Sequence, residues 1–251
     1  MPRRHDADAG SAAALLASKA ELREVVWRAL RTAKAARFPG AEGRIPNFVG
    51  AEAAAERLRG VRAWQRARTV KANPDAPQWP VRQRALEDGK TLSMAVPRLA
   101  EAKPFFLLDP ANLGDSPRQA SSIKGASRSA VPIDVAELQP VDLVVAGCVA
   151  VAEDGARLGK GGGFSDLELA VAAEAGLVDR STVVVTTVHE LQVVPVGDIP
   201  TTAHDIHVDL VVTPERVIEC ARPRGHRAPR LRWRELTDEK IASIPLLQRL
   251  R

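Results

Sequence analysis

The sequence predicts a three-layer α/β/α fold with a largely parallel sheet, an N-terminal helical arm and a basic C-terminal tail. Short apolar runs recur along the chain, and helical stretches separate several of them, which is typical of a sheet covered by helices on both faces. The 251 residues are 45% apolar and 27% charged, a composition that supports a sizeable core. We expect a disordered segment over residues 1–17, one α/β domain over 18–220 and the tail over 221–251.

The helices are predicted from apolar spacing. Leu22, Val26 and Leu30 recur on one face of a helix over residues 18–36, and Ser18 is a candidate N-cap. Phe38-Pro39-Gly40 ends this helix, since proline and glycine interrupt the helical pattern. Further helices are predicted over 51–59, 80–88 and 165–175, and a long loop rich in Gly, Ser, Asn and Asp over 109–130.

The strands are predicted from short continuous apolar runs. Continuous runs, unlike alternating ones, indicate strands that are buried on both faces of a sheet. They lie at residues 69–72, 91–96, 105–108, 141–146, 182–188, 208–212 and 217–220.

Several classes of protein are disfavoured. No apolar run reaches the length of about 20 residues that a membrane helix needs. The first residues carry acids and lack the apolar core of a secretion signal, so we expect a cytoplasmic protein. Cys148 and Cys220 form no CxxC motif and no disulfide framework, and reduced thiols are expected.

The positive charge of the chain is concentrated at its C-terminal end. Residues 221–251 hold eight arginines and one lysine against three acids, a net charge of +6, whereas the whole chain carries +5. Such a segment suits contacts with phosphates, nucleic acid or an acidic partner. The alternative interpretation, which we favour, is a solvated tail broken by prolines.

One glycine-rich loop carries most of the candidate chemistry. Four glycines occupy five positions from Gly159 to Gly163, with Arg157 before them, Lys160 among them and a predicted helix directly after them. Glycines let the backbone N–H groups approach an anion, and the helix N-terminus and the two cations add positive charge. The pattern therefore predicts a phosphate site. Asp166 is placed to bind Mg²⁺, or alternatively to complement the helix dipole.

Other familiar sites are absent from the sequence. The glycine loop matches neither a Walker A motif nor a dinucleotide fingerprint, because the spacing of its glycines and lysine is wrong for both. No GxSxG motif indicates a hydrolase. His204 and His207 lie near the start of a predicted strand, where a structural or substrate-contact role is favoured over metal binding.

The segment from Arg157 to Asp166 resembles the R-L-G-x-G-x-G-Y-Y-D signature of the 5-formyltetrahydrofolate cyclo-ligase family. Lys19-Ala20-Glu21-Leu22-Arg23 is similar to its N-terminal K-x-x-L-R motif, and Gln192, His204-Asp205 and Thr213-Pro214 are similar to its later motifs. Arg44-Ile45-Pro46-Asn47-Phe48 resembles the divergent, domain-containing branch of the family.

The resemblance implies a specific reaction and specific site residues. The family uses ATP and Mg²⁺ to convert 5-formyltetrahydrofolate to 5,10-methenyltetrahydrofolate, with release of ADP and phosphate. ATP and a reduced folate are thus the expected partners, and the oligomeric state stays open. Together with the charges of the loop, the resemblance assigns catalytic roles to Arg157 and Lys160, Mg²⁺ binding to Asp166, and nucleotide contacts to Lys19, Arg23, Arg157, Gly159, Lys160, Gly161, Gly162, Gly163, Phe164 and Asp166.

The chain also departs from the family pattern. Phe164 and Ser165 stand where the family has two aromatic residues, and residues 72–77 contain no counterpart of the folate-binding glutamate. The phosphate half of the site is therefore expected to be better preserved than the folate half. The alternative is a nucleotide-binding or RNA-associated protein of the same fold without folate turnover, with the basic tail as its nucleic-acid contact.

Overall fold

The computed structural model describes residues 4–96, 99–202, 205–221 and 230–251, with the backbone alone over 4–13 and at residue 235. None of the described helices is long and apolar enough to cross a bilayer. The α-helices of these ranges are α1 (Arg4–Thr32), α2 (Ala51–Arg59), α3 (Arg62–Arg66), α4 (Trp79–Glu87), α5 (Pro117–Ala120), α6 (Ile123–Ser129), α7 (Phe164–Glu174), α8 (Asp238–Ser243) and α9 (Pro245–Leu250).

The strands form one large sheet and one small sheet. The large sheet contains β1 (Thr69–Ala72), β2 (Thr91–Ala95), β3 (Phe105–Leu108), β4 (Val131–Ile133), β5 (Leu143–Val145), β8 (Val183–Thr187), β10 (Leu210–Val212) and β11 (Val217–Glu219). The small sheet contains β6 (Ala150–Ala152), β7 (Arg157–Leu158) and β9 (Val193–Val194).

The order of the large sheet is β11-β10-β8-β5-β1-β2-β3-β4. The five central strands, β10 to β2 in this order, are parallel, and β11, β3 and β4 pair antiparallel at the two edges. From β1 the chain first moves to β2 on one side and later to β5 on the other. The order therefore reverses between β1 and β5, and ligands of open α/β sheets bind at such a switch point.

Alternating side chains of the central strands divide the core into two layers. Leu143 and Val145 of β5 join the apolar cluster that contains residues of α2 and α4. Val144 of the same strand joins the cluster that contains residues of α7, α8 and α9. Successive residues of a strand point to opposite faces, so the continuous apolar runs reflect helices on both sides. The predicted α/β/α architecture with a largely parallel sheet is confirmed.

The N-terminal arm packs on the small sheet rather than on the large one. Val26, Trp27 and Leu30 of α1 form a third cluster with Ala150 and Leu158. This packing brings the middle of α1 beside the glycine-rich loop that follows β7.

The structure corrects the sequence analysis at both ends of the chain. Helix α1 begins at Arg4, where disorder was predicted through residue 17, because alanines dominate residues 7–17 and alanine has the best helix propensity. The C-terminal end is only partly a tail, since Ile241, Ile244 and Leu247 are buried in the core. The arginine-rich residues 222–229 lie outside the described ranges.

The predicted loop over residues 109–130 contains α5 and α6. Ser116 accepts a hydrogen bond from the N–H of Gln119, and Ser122 accepts one from the N–H of Gly125. Serine is common both in loops and at helix N-caps, so a segment rich in small polar residues predicts a loop even where its serines cap short helices.

Candidate active site

A cavity of about 890 Å³ lies at the switch point of the large sheet. Asn73 and Asp75, which follow β1, and Gly147, which follows β5, line it on the sheet side. The glycine-rich loop and the start of α7 line it on the opposite side, including Gly159, Lys160, Gly162, Gly163, Phe164 and Asp166. The predicted phosphate loop therefore opens into the region where ligands of this architecture bind.

The glycine-rich loop has a backbone that only glycine adopts without strain. The φ angle is +109° at Gly161 and +65° at Gly163, and Gly163 is the N-cap of α7. Within the described residues, no group accepts a hydrogen bond from the N–H of Gly161, Gly162 or Gly163. The loop thus combines unused backbone donors with a helix N-terminus, which is the arrangement that binds phosphate.

Arg157 lies under this loop and is almost fully buried. Its Nη2 donates to Asp166 Oδ1 at 2.5 Å, and its Nη1 donates to the carbonyl of Gly147 at 3.2 Å. Burial lowers the pKa of Arg157, but the Asp166 carboxylate opposes this effect and the pKa lies above its ordinary value. The buried guanidinium therefore stays charged beside the cavity.

Helix α1 brings two further cations to the same place. Lys19 Nζ lies 2.7 Å from Asp205 Oδ2, and Arg23 Nε donates to the carbonyl of Gly159 at 2.7 Å. Burial would raise the pKa of Asp205, but its hydrogen bonds with Lys19 and with the N–H of Thr202 keep that pKa below the ordinary value. The two residues of the K-x-x-L-R motif thus reach the site from one face of α1, as their spacing allows.

A buried polar network forms the floor of the cavity. Lys71 Nζ lies 2.7 Å from Glu168 Oε2, and Asn73 Nδ2 donates to the same oxygen at 3.2 Å. Asn73 Oδ1 accepts from the N–H of Gly147 and from the Ser165 hydroxyl, each at 3.2 Å. This network ties β1, β5 and the first two turns of α7 together.

The entrance of the cavity is more exposed. Lys160, whose side chain is 47% exposed, contacts Asp75 Oδ1 at 3.4 Å. Asp75 thus supplies a carboxylate after β1, although the sequence pattern indicated no counterpart of the family glutamate there. Ile45, Ile123 and Phe164 add apolar surface to the same cavity.

Most residues of the predicted phosphate site line one cavity, namely Arg157, Gly159, Lys160, Gly162, Gly163, Phe164 and Asp166. Lys19, Arg23 and Gly161 do not line it, although Arg23 contacts the loop at Gly159. Sequence reasoning missed Asp75, Glu168 and the C-terminal Lys240, which donates to the carbonyl of Gly162 at 2.8 Å. Glu168 follows Asp166 by two positions on the same predicted helix, and this proximity could have identified it as a site residue. Lys240 gave no signal because it is 78 positions from its partner.

Candidate metal ligands are limited to carboxylates near the loop. In the part of the chain that the structure describes, no cluster of three or more His, Cys, Asp or Glu side chains is arranged to hold a metal ion. Asp166 and Asp205 nonetheless share one corner, because the N–H of Ile206 donates to Asp166 Oδ1 at 3.3 Å. His204, singled out in the sequence, lies outside the described residues.

Comparisons with known proteins agree on one family. A sequence model of the 5-formyltetrahydrofolate cyclo-ligase family matches residues 16–214. The methenyltetrahydrofolate synthase domain-containing proteins of Mus musculus and Homo sapiens are 40% and 37% identical over 238 residues, or 93% of this chain. The chain covers 63% of the mouse protein and 61% of the human protein.

A solved structure shows the same fold. The NMR structure of Aquifex aeolicus 5,10-methenyltetrahydrofolate synthetase superposes with a TM-score of 0.52 and 21% sequence identity. The match covers 82% of this chain and 95% of that chain. At 21% sequence identity, this match shows a shared fold and nothing more.

Proposed function

Because this chain belongs to the 5-formyltetrahydrofolate cyclo-ligase family, we propose that it is an ATP- and Mg²⁺-dependent cyclo-ligase that converts 5-formyltetrahydrofolate to 5,10-methenyltetrahydrofolate. The observation that carries the proposal is the glycine-rich loop, whose unused N–H groups, helix N-terminus and neighbouring cations open into a cavity at the switch point of the sheet. The chain covers less than two thirds of its relatives, so the proposal concerns this domain.

The nucleotide half of the proposal is supported by charge. In this proposal the N–H groups of Gly161 to Gly163 bind the phosphates, and Lys19, Arg23, Arg157 and Lys160 balance their charge. Asp166 and Asp205 fit Mg²⁺, since both are carboxylates beside the phosphate loop and Mg²⁺ prefers oxygen ligands. When bound, the cation would neutralise charge that develops on the phosphates.

The folate half is supported by the shape and chemistry of the cavity. Its volume of about 890 Å³ exceeds the space that the phosphates alone require and lies within the range of small-molecule sites. Ile45, Ile123 and Phe164 offer apolar surface for a flat ring, whereas Asp75 and Glu168 offer carboxylate oxygens. A pterin has an apolar face and an edge of N–H donors, so both kinds of surface would be used.

The proposed reaction makes modest demands on the protein. The formyl oxygen attacks the γ-phosphate and ADP leaves. The N10 nitrogen then attacks the formyl carbon and loses its proton to solvent, which closes the five-membered ring, and the bond between the formyl carbon and oxygen breaks as phosphate leaves. Phosphoryl transfer of this kind depends on positioning and charge neutralisation. The buried Arg157 and the loop donors are suited to both tasks, because the Asp166 contact and the helix cap already fix their places.

The test is a turnover assay with two glycine variants at opposite ends of α7. We expect the wild type to form methenyl product, detected by its absorbance, only when 5-formyltetrahydrofolate, ATP and Mg²⁺ are all present. Gly163→Ala should reduce turnover, because the added Cβ would lie 3.1 Å from Lys240 Nζ and would push this amine away from the carbonyl of Gly162.

The matched control is Gly176→Ala. Its φ of +70° is close to the +65° of Gly163, but a Cβ there meets nothing within 4 Å. Both variants should lose about 1 kcal/mol of unfolding free energy from the left-handed backbone, yet only Gly163→Ala should reduce turnover. A wild type that binds ATP and yields no methenyl product would refute the cyclo-ligase proposal and favour the nucleotide-binding alternative.

A further inference from the structure

The C-terminal segment is folded onto the candidate active site, although the family match ends at residue 214. Ile241 of α8, Leu247 of α9 and Ile244 between the two helices are at most 7% exposed, and they share a core cluster with Leu167 and Leu169 of α7. The segment is thus anchored against the helix that begins at the glycine-rich loop.

This anchoring places Lys240 on the outer side of the loop. Its Nζ donates to the carbonyl of Gly162 at 2.8 Å and lies 5.1 Å from the centre of the Phe164 ring. Thr237 caps α8 by accepting from the N–H of Lys240, so the backbone of the lysine is held as well. Ser243, one turn further along α8, lines the cavity.

The contact has a direct consequence for the neighbouring peptide group. In a trans peptide the carbonyl and the N–H point in opposite directions. A lysine that holds the carbonyl of Gly162 therefore turns the N–H of Gly163 away from α8. Gly163 is also the N-cap of α7, and its N–H has no acceptor among the described residues.

We infer that Lys240 is a positioning residue of the nucleotide site, which orients the Gly162–Gly163 peptide so that its N–H is presented to a phosphate. The inference rests on the proposed function, and it adds a segment that the family match does not cover. Burial lowers the pKa of the Lys240 amine, and the nearby Asp166 carboxylate partly opposes this effect.

The experiment measures MgATP affinity by calorimetry, together with kcat and the KM of each substrate, in Lys240→Met. We expect MgATP affinity to fall by about tenfold, as for loss of one hydrogen bond from a charged group. The KM for the folate substrate should change less than the MgATP affinity, because the Lys240 amine bonds to the carbonyl of Gly162 in the phosphate loop. Lys240→Arg should restore most of the affinity, since a guanidinium keeps the charge and the donors.

Arg249→Met is the matched control. Arg249 is a long cation of the same segment, and it donates to the carbonyl of Ala102 at 2.8 Å and to Asp134 Oδ2 at 2.7 Å, not to the loop. It should match Lys240→Met in thermal stability but keep the MgATP affinity of the wild type.

The outcomes separate the inference from the proposed function. A wild type that binds no MgATP refutes the function and the inference together. A wild type with normal turnover, combined with unchanged MgATP affinity in Lys240→Met, overturns the inference alone. Loss of stability in Lys240→Met without loss of MgATP affinity overturns it too, because the lysine would then hold only the fold.

Discussion

The buried pair of Lys71 and Glu168 allows a quantitative test of the cavity floor. Their side chains are 2% and 5% exposed, and Nζ lies 2.7 Å from Oε2. Lys71 stands between Val70 and Ala72, whose side chains face the opposite layer, so its ammonium lies on the α7 side of the sheet, in the buried polar network of the cavity floor. Lys71→Met keeps the length of the side chain but leaves the Glu168 carboxylate buried with Asn73 as its remaining partner.

Removal of one partner from a buried ion pair costs about 3–5 kcal/mol. A domain of this size loses roughly 2–4 °C of melting temperature per kcal/mol, so Lys71→Met should melt about 6–20 °C below the wild type. The double variant Lys71→Met/Glu168→Gln should recover much of this loss, because the amide oxygen still accepts from Asn73 and no charge remains unpaired.

The melting temperatures are measured by circular dichroism during thermal unfolding, and the unfolding free energies are measured by denaturant titration. Lys103→Met is the control, since its pair with Glu137 is exposed (53% and 49%) and should contribute at most about 1 kcal/mol. If Lys71→Met melted together with Lys103→Met, or if the double variant were less stable than Lys71→Met, the reasoning about the buried charge would be refuted.

Three further variants test the loop and its carboxylates. Asp166→Asn should reduce turnover strongly and also cost about 3 kcal/mol in denaturant unfolding, because it leaves the buried Arg157 without its charged partner; an equally stable variant would contradict this. Lys160→Ala should weaken MgATP binding about tenfold in calorimetry at nearly constant melting temperature, since Lys160 is exposed, and unchanged affinity would remove it from the site. The pKa of Asp205 is lower in the folded protein than in the unfolded chain. Its ionised carboxylate therefore stabilises the fold at pH values above the unfolded pKa of about 3.9, and this stabilisation is lost as the pH falls through the folded pKa. The stability difference between wild type and Asp205→Asn should therefore be greatest at neutral pH and shrink as the pH falls below the ordinary Asp pKa of about 3.9, and a difference independent of pH would argue against the pairing.

Local patterns predicted the parts of the fold that depend on neighbouring residues. The continuous apolar runs at β1, β2 and β8 identified central strands within one residue or so, because both faces of those strands are buried. The short strands β6, β7 and β9 were missed, since strands of two or three residues carry too little pattern to be recognised.

Local patterns predicted the candidate site only where its residues are close in sequence, whereas Lys19 and Arg23 were assigned through the family resemblance. The loop from Arg157 to Asp166 is one continuous segment, and its glycines indicated backbone conformations that other residues rarely adopt. The roles of Lys71 and Lys240 were not predictable, because their partners are 97 and 78 positions away in the sequence. Each role depends on which layer of the core, or which loop, the side chain contacts. The apolar side chains of α8 and α9 were overlooked beside the many arginines of the same region.

Three cations of the candidate site are paired with carboxylates: Lys19 with Asp205, Arg157 with Asp166, and Lys160 with Asp75. An anion that bonds only to the N–H groups of the loop leaves these pairs intact, whereas an anion that pairs with the three cations must displace their carboxylates. Under the proposed function, MgATP brings negative oxygens for the cations and a metal ion for the released carboxylates, so it could exchange these partners together. A small anion without a metal ion brings no cation for the released carboxylates, and the pairing would therefore favour the nucleotide over such an anion.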